Sequence, residues 1–140
     1  MHDLFCVLQK KSDQDVGLTD YKVHSFNGIP RIVLVCKDRF KKSGMTEDFF
    51  DVEWNHLNVR REHHSNNVAA VPKPMEMDEI LHLATVLSAE LPFVRSDFYI
   101  VNGNIYFGEL TFFPASGFQS FIPESFDREM GEWLLLPNAK

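Results

Sequence analysis

Residues 95–111 read Arg95-Ser96-Asp97-Phe98-Tyr99-Ile100-Val101-Asn102-Gly103-Asn104-Ile105-Tyr106-Phe107-Gly108-Glu109-Leu110-Thr111. Aromatic and β-branched residues lie on both sides of an Asn-Gly dipeptide, which is a strong signal for a β-hairpin turn. Charged side chains inside so apolar a hairpin are costly to bury unless other groups satisfy them. The stretch therefore predicts a hairpin over residues 93–113 that carries a polar cluster.

The length of the hairpin loop decides which residues face each other. A two-residue turn, Asn102-Gly103, would pair Val101 with Asn104. A three-residue loop would pair Val101 with Ile105 and leave Asn104 in the left-handed conformation, which asparagine tolerates. The two alternatives differ by one residue in register, so they place opposite sets of second-strand side chains on a given face.

Only the three-residue loop gathers the polar side chains. In that register Asp97 lies opposite Glu109 and Arg95 lies opposite Thr111, whereas the shorter turn places Asp97 opposite Gly108. We therefore predict the three-residue loop. The other face is then mainly apolar and holds Ser96, Phe98, Ile100, Tyr106, Gly108, Leu110 and Phe112.

The chemistry of this predicted polar face has two interpretations. Two carboxylates at facing strand positions repel each other unless a cation lies between them. Magnesium held by Asp97, Glu109 and nucleotide phosphates would satisfy them, with Arg95 holding a phosphate or a developing oxyanion. An Arg–carboxylate cluster that only stabilises the hairpin explains the same residues. The residues alone leave both interpretations open.

Two further segments predict strands. Residues 21–26 and 32–36 flank Asn27-Gly28-Ile29-Pro30 and form a second hairpin pattern. The second of these strands is continuously apolar, so we expect it to be central in its sheet. Residues 49–54 predict a short third strand.

The helical patterns complete an α+β fold. Residues 75–91 predict the long helix, with apolar residues at three- and four-residue spacing. Residues 123–136 predict a short C-terminal helix that carries Trp133 and Leu134 to Leu136 into the core. We therefore expect a mainly antiparallel sheet of two hairpins packed against one long helix and a short C-terminal helix.

Composition excludes several classes of protein. The chain has 140 residues, 44% of them hydrophobic, and a mean hydropathy of -0.19, which fits one globular core without a transmembrane segment. A formal net charge of -6 leaves no basic excess to replace counterions on a nucleic acid, so we expect no nucleic-acid partner. The first residues do not form a secretory signal, which predicts a cytoplasmic protein.

Cysteine, histidine and phenylalanine carry weaker signals. Cys6 and Cys36 lie in apolar surroundings without metal-ligand spacing and are expected to be buried thiols. The pair His63-His64 is expected in a solvated loop and not at a metal. The chain has 13 Phe, many in its last third, which predicts an aromatic core there or a partner surface.

Several of these motifs together resemble the C-terminal part of the ATP-grasp enzymes, most closely the TupA-like branch found with cell-surface polysaccharide biosynthesis. The resemblance runs from Asp20 to nearly the end of the chain. The motifs that carry it are Asp20-Tyr21-Lys22, Phe26-Asn27-Gly28, Phe50-Asp51-Val52-Glu53-Trp54, Pro72-Lys73-Pro74, the 95–112 hairpin, Pro114-Ala115-Ser116-Gly117-Phe118 and Gly131-Glu132-Trp133-Leu134-Leu135-Leu136-Pro137.

The resemblance implies ATP-dependent ligase chemistry with Mg²⁺ and ATP, in which a carboxylate becomes an acyl phosphate that an amine or similar nucleophile attacks. Asp97 and Glu109 match the family's magnesium-binding acids. Thr111 stands where most ATP-grasp enzymes carry an Asn ligand and is placed with them. Arg95 matches the catalytic Arg that steadies phosphate or the tetrahedral intermediate.

Further roles follow from the same resemblance. Lys22 lies where a residue that contacts the phosphates of the nucleotide is expected. Ser116 and Gly117 match the turn after the metal strand, where backbone amides meet the acceptor substrate.

The resemblance also predicts how the chain is organised. Residues 1–19 form an N-terminal arm, and residues 20–140 form the C-terminal ATP-grasp subdomain. The half that grips the nucleotide is expected to be missing, so we do not expect catalysis by this chain alone. Three functions remain: a half-enzyme completed by a partner chain, a non-catalytic remnant, and an interaction module that forms a homodimer through exposed aromatic residues.

Overall fold

The computed structural model describes residues 18–67 and 69–138. The elements in chain order are β1 (Asp20–Phe26), β2 (Ile29–Lys37), β3 (Thr46–Asp51), β4 (His56–Leu57), β5 (Arg60–Arg61), α1 (Met77–Leu87), β6 (Phe93–Val101), β7 (Asn104–Thr111), β8 (Phe121–Ile122) and α2 (Ser125–Trp133). Six strands form one antiparallel sheet in the order β4-β3-β2-β1-β6-β7, and β5 pairs with β8. The predicted α+β fold, with two hairpins and two helices, is confirmed.

The first hairpin follows its local sequence. Asn27 and Gly28 both have positive φ, 50° and 79°, which is the pair of conformations that a tight type I′ turn requires. The turn joins β1 to β2 in antiparallel pairing. The apolar β2 lies inside the sheet between β1 and β3, as its continuous hydrophobicity predicts.

Strand β3 differs from the predicted strand over residues 49–54. It begins at Thr46 and ends at Asp51, because Trp54 adopts a positive φ of 70° and the Asp51 carboxylate accepts the amide N–H of Asn55 at 2.8 Å. The Trp54 ring then stacks on Phe50, with ring centroids 4.3 Å apart. The aromatic residues of this segment therefore close a turn and do not extend the strand.

The two faces of the sheet are covered differently. Helix α1 packs on one face through Met77, Ile80 and Ala84, against a core that includes Val23 and Phe98. On the other face, Phe126 of α2 packs against the sheet and forms a second buried cluster. The other members of this cluster are Ile32, Leu34, Cys36, Phe49 and Val59. The rest of that second face, along β1, β6 and β7, carries the predicted polar residues.

Both helices are shorter than predicted. Helix α1 ends at Leu87, and Glu90 has a positive φ of 64°, so the helix does not continue to Leu91. Helix α2 ends at Trp133, and Leu134 is extended. The prediction that Leu134 to Leu136 enter the core is wrong for Leu135 and Leu136, which are 68% and 72% exposed.

The remaining expectations concern single residues and the chain termini. Cys36 is a buried free thiol, whereas Cys6 and most of the predicted arm over residues 1–19 lie outside the described residues. No helix in the described part of the chain is long and apolar enough to cross a membrane.

Candidate functional site

The β6–β7 hairpin reaches the predicted polar arrangement by a different route. Val101 pairs with Asn104, so the loop is the two-residue turn Asn102-Gly103 and the predicted three-residue loop is wrong. Asn102 and Gly103 have the positive φ values, 52° and 74°, and Asn104 does not. As in the first hairpin, an Asn-Gly pair adopts the turn whose twist matches its strands.

A β-bulge then shifts the register by one residue. Phe98 pairs with Phe107, but Ser96 pairs with Leu110, so Gly108 and Glu109 together lie opposite Asp97. The bulge restores the predicted pairing of Arg95 with Thr111. Between the turn and the bulge, each β7 side chain lies on the face of the hairpin opposite to the predicted one. Phe107 therefore lies with Phe98, and Tyr106 pairs with Tyr99.

The predicted site residues of three strands meet on one face of the sheet. Arg95 Nε donates to Asp97 Oδ1 at 2.8 Å, and its Nη2 donates to Asp97 Oδ2 at 2.9 Å. The same Nη2 donates to Glu109 Oε1 at 3.3 Å and to Thr111 Oγ1 at 3.1 Å. Lys22 of β1, which pairs with Asp97, donates to Asp97 Oδ2 at 2.5 Å. These five residues, Lys22, Arg95, Asp97, Glu109 and Thr111, are called the polar cluster below.

The two acids of the polar cluster differ sharply in exposure. The Asp97 side chain is 1% exposed and both of its oxygens accept from cations, whereas the Glu109 side chain is 65% exposed. Two carboxylates and a hydroxyl supply the oxygen donors that Mg²⁺ prefers, so the donor set fits that ion. Both Asp97 oxygens are occupied by Lys22 and Arg95, so a metal can bind Asp97 only after one of these cations leaves the carboxylate for another anion.

Sequence reasoning missed a second ion pair beside the polar cluster. The buried Asp20 carboxylate accepts from Arg39 and lies 3.4 Å from Lys22 Nζ. Asp20 belongs to the Asp20-Tyr21-Lys22 motif, but Arg39 lies in the exposed loop after β2 and has no local signal. Only the fold of β1 against β2 brings Arg39 near Asp20. The cations around the two buried acids are therefore Lys22, Arg39 and Arg95.

Burial shifts the pKa of two neighbouring groups. Desolvation, reinforced by the nearby Arg95 charge, lowers the pKa of His24 to about 4, so this buried imidazole is neutral at pH 7. Desolvation also raises the pKa of Tyr99 to about 12, with the Asp20 charge acting in the same direction. Both groups therefore offer neutral hydrogen-bonding atoms beside a charged cluster.

Ser116 and Gly117 lie apart from the polar cluster, in the turn after β7. Ala115, Ser116 and Gly117 all have positive φ, 49°, 55° and 81°. The Ser116 amide N–H donates to the Phe113 carbonyl at 3.1 Å, so the turn uses that donor itself. Gly117 lines a cavity that His24 also lines. None of the five residues of the polar cluster lines this cavity, so the structure does not bring the turn together with the cluster.

The adjacent histidines do not belong to the polar cluster. The His64 Nδ1 atom lies 3.5 Å from the buried Glu47 carboxylate, and His63 is 88% exposed. No cluster of three or more His, Cys, Asp or Glu suited to a metal ion occurs among residues 18–67 and 69–138.

Gly108 is the residue that the bulge requires. A Cβ there would lie 2.8 Å from Tyr99 Cε2 and 3.2 Å from the Asp97 carbonyl oxygen. We expect Gly108→Ala to lower the free energy of unfolding by about 1–3 kcal/mol, because the crowded bulge must open. Chemical denaturation measures this.

A matched glycine provides the control for Gly108. A Cβ at Gly131, inside α2, would meet nothing within 4 Å. Gly131→Ala should therefore raise stability by about 0.5–1 kcal/mol through helix propensity. Equal effects at both glycines would contradict the role given to Gly108.

Comparison with known proteins gives a family match. The family model described as TupA-like ATPgrasp matches residues 5–135, which is most of the chain. No curated protein and no solved structure matches the chain. The match covers every residue of the polar cluster as well as the turn at Ser116 and Gly117. The chain therefore belongs to the TupA-like ATP-grasp family.

Proposed function

We propose that the polar cluster is the magnesium and phosphate site of an ATP-dependent carboxylate ligase. The resemblance to the TupA-like branch implies a role for such a ligase in cell-surface polysaccharide biosynthesis. The observation that carries the proposal is that one guanidinium, Arg95, contacts Asp97, Glu109 and Thr111 while Lys22 contacts Asp97 from the neighbouring strand. Acids and cations are thus interleaved on one face, as a metal–triphosphate complex requires.

Each residue has a separate task in this proposal. Asp97, Glu109 and Thr111 would hold Mg²⁺, which neutralises charge on the phosphates when bound. Lys22 and Arg95 would pass from Asp97 to phosphate oxygens, which frees the carboxylate for the ion. Arg95 would then stabilise the oxyanion formed when a nucleophile attacks the acyl phosphate.

In this proposal the chain provides only the part of the nucleotide site that contacts the phosphates. A substrate carboxylate oxygen would attack the γ-phosphorus of ATP with ADP as leaving group, and an amine would then displace inorganic phosphate from the acyl carbon. Phosphoryl transfer depends on holding both reactants in line, so one wall of phosphate contacts does not suffice. We propose that a second polypeptide unit supplies the contacts to adenine.

Calorimetric titration of the chain tests the site. We expect Mg·ATP to bind at millimolar concentration or below, and more tightly than Mg²⁺ alone, because the phosphates must first draw Lys22 and Arg95 from Asp97. Glu109→Gln should weaken Mg·ATP binding at least ten-fold. Asp97→Asn should abolish it.

An acid outside the polar cluster provides the control for this titration. Glu62, whose side chain is 59% exposed, should be replaceable by Gln without effect on Mg·ATP affinity. Absence of heat at millimolar Mg·ATP, or an equal loss in all three variants, would overturn the proposal.

A second candidate function is favoured by the exposed aromatic residues. Phe113 and Phe118 are 78% and 90% exposed, and Phe107 and Phe112 are each 49% exposed, all on or just after the edge strand β7. Several exposed aromatic residues in one short segment of the chain are typical of an interaction surface. This observation supports a non-catalytic module that forms a homodimer or binds a partner chain.

Sedimentation of two variants tests the interaction module. We expect a concentration-dependent dimer that Phe113→Asp and Phe118→Asp convert to monomer, since each places a charge in the apolar contact. Phe40→Asp, at an exposed Phe outside residues 107–118, is the control. A wild-type chain that stays monomeric at 100-fold different concentrations would exclude the homodimer.

A further inference from the structure

A cavity beside the polar cluster has no part in the proposed function. Its volume is about 230 Å³, and it lies between the sheet face and the segments that cover it, β8, α2 and the turn after β7. Eight of its fourteen lining residues carry apolar side chains, among them Phe26, Leu34, Phe49, Phe93, Phe121 and Met130. A dry apolar cavity of roughly 150 Å³ already admits benzene, so this one accommodates a six-membered ring with a substituent.

One buried polar group gives the cavity a chemical preference. His24 lines it and is only 7% exposed. The Nδ1 atom of His24 lies 3.2 Å from the Lys22 carbonyl oxygen, which can only accept, so Nδ1 carries the proton. Nε2 is then a hydrogen-bond acceptor on the ring.

The charges near the cavity favour a neutral ligand. Arg61 lines the cavity, but its guanidinium donates to the buried Glu47 carboxylate and to Gln119 Oε1. His24 of β1 pairs in register with Arg95 of β6. The Arg95 charge is neutralised by its ion pair with Asp97. The other charged lining residue, Asp127, is exposed, so water screens its charge. A ligand carboxylate would find no unpaired cation among the lining residues, whereas an N–H or O–H donor meets the imidazole acceptor.

We propose that this cavity binds a neutral small molecule, or a neutral group of a larger one, that has a compact aromatic or branched apolar body and one N–H or O–H donor directed at His24 Nε2. The apolar lining residues provide the binding energy and His24 provides the selectivity. None of these residues belongs to the polar cluster, so the inference does not depend on the proposed function.

Phenol and toluene form a matched pair of probes, because they share a ring and nearly the same volume but only phenol donates a hydrogen bond. We expect both to shift the amide NMR signals of Phe93, Gly117 and Gly131, with phenol bound roughly five-fold more tightly. The ring ¹⁵N signal of His24 Nε2 in the wild-type chain should move with phenol and stay with toluene. This last measurement needs no variant.

Two variants separate the acceptor from the apolar wall. His24→Phe keeps a ring and should abolish the preference for phenol while toluene still binds. Gly131 lines the cavity, and a Cβ there would meet no atom within 4 Å. Gly131→Leu should therefore lower the affinity for both probes at least ten-fold. Glu132→Leu, one residue further along α2, should leave both affinities unchanged.

Several outcomes would overturn the inference. These are no shift of the three amides at millimolar probe, an equal affinity for the two probes with an unmoved His24 signal, or unchanged binding in Gly131→Leu. Asp97→Asn should leave phenol affinity unchanged while it abolishes Mg·ATP binding. Failure of the magnesium site and failure of this cavity site are therefore distinguishable.

Discussion

Arg61→Ala is expected to lower the free energy of unfolding by about 3–5 kcal/mol, the largest effect of any single substitution considered for this chain. The Glu47 side chain is 0% exposed, and Arg61 holds it through Nε at 2.5 Å and through Nη2. Without Arg61 the buried carboxylate keeps two weaker partners in the described part of the chain, His64 Nδ1 at 3.5 Å and the Cys36 Sγ donor at 4.0 Å. Urea denaturation measures the change.

The neighbouring arginine and a double variant sharpen this test. Arg60 lies next to Arg61 in β5 but is exposed, so Arg60→Ala should change stability by less than about 0.5 kcal/mol. Glu47→Gln introduced into the Arg61→Ala chain removes the unpaired charge and should recover a substantial part of the loss. Additive effects of the two substitutions would show that the ion pair is not the cause.

Asp97→Ala is expected to lower the free energy of unfolding by about 3 kcal/mol, at the lower end of the range for breaking a buried ion pair. Lys22 and Arg95, with side chains 12% and 13% exposed, would lose their common anion. Each keeps a weaker partner, Asp20 at 3.4 Å from Lys22 and Glu109 at 3.3 Å from Arg95. These partners limit the loss, which thermal and chemical denaturation measure.

Glu109 is the comparison for Asp97, because it belongs to the same cluster and is exposed. Glu109→Ala should change stability by less than about 1 kcal/mol, as is usual for solvent-exposed ion pairs. A large loss in both variants would favour a purely stabilising role for the whole cluster. A small loss at Glu109 makes it the residue where metal binding can be removed while the fold is kept.

Local signals in the sequence predicted the elements well. Asn27-Gly28 adopts the two positive φ values of a tight turn, and the apolar run in β2 occupies the interior of the sheet. At Asn102-Gly103 the same pair of φ values replaces the predicted three-residue loop. The grouping of Arg95, Asp97, Glu109 and Thr111 was also predictable, since burying these charges in an aromatic hairpin is unfavourable unless they meet.

Features that depend on distant residues were not predictable. At the bulge Gly108 lies close to Tyr99 on the neighbouring strand, a contact that no local pattern reveals. The Arg39–Asp20 contact forms only because β1 and β2 fold back on each other. Leu135 and Leu136 are apolar, but the helix that would carry them inward ends at Trp133.

The bulge at Gly108 and Glu109 has a consequence for how related sequences are compared. A hairpin with a three-residue loop and no bulge, and one with a two-residue turn and a bulge, present the same four polar groups on the same face. A relative with one more residue near Asn102 and one fewer near Gly108 would therefore retain the site. In an alignment, such an insertion and deletion would each suggest loss of the site, although together they preserve it.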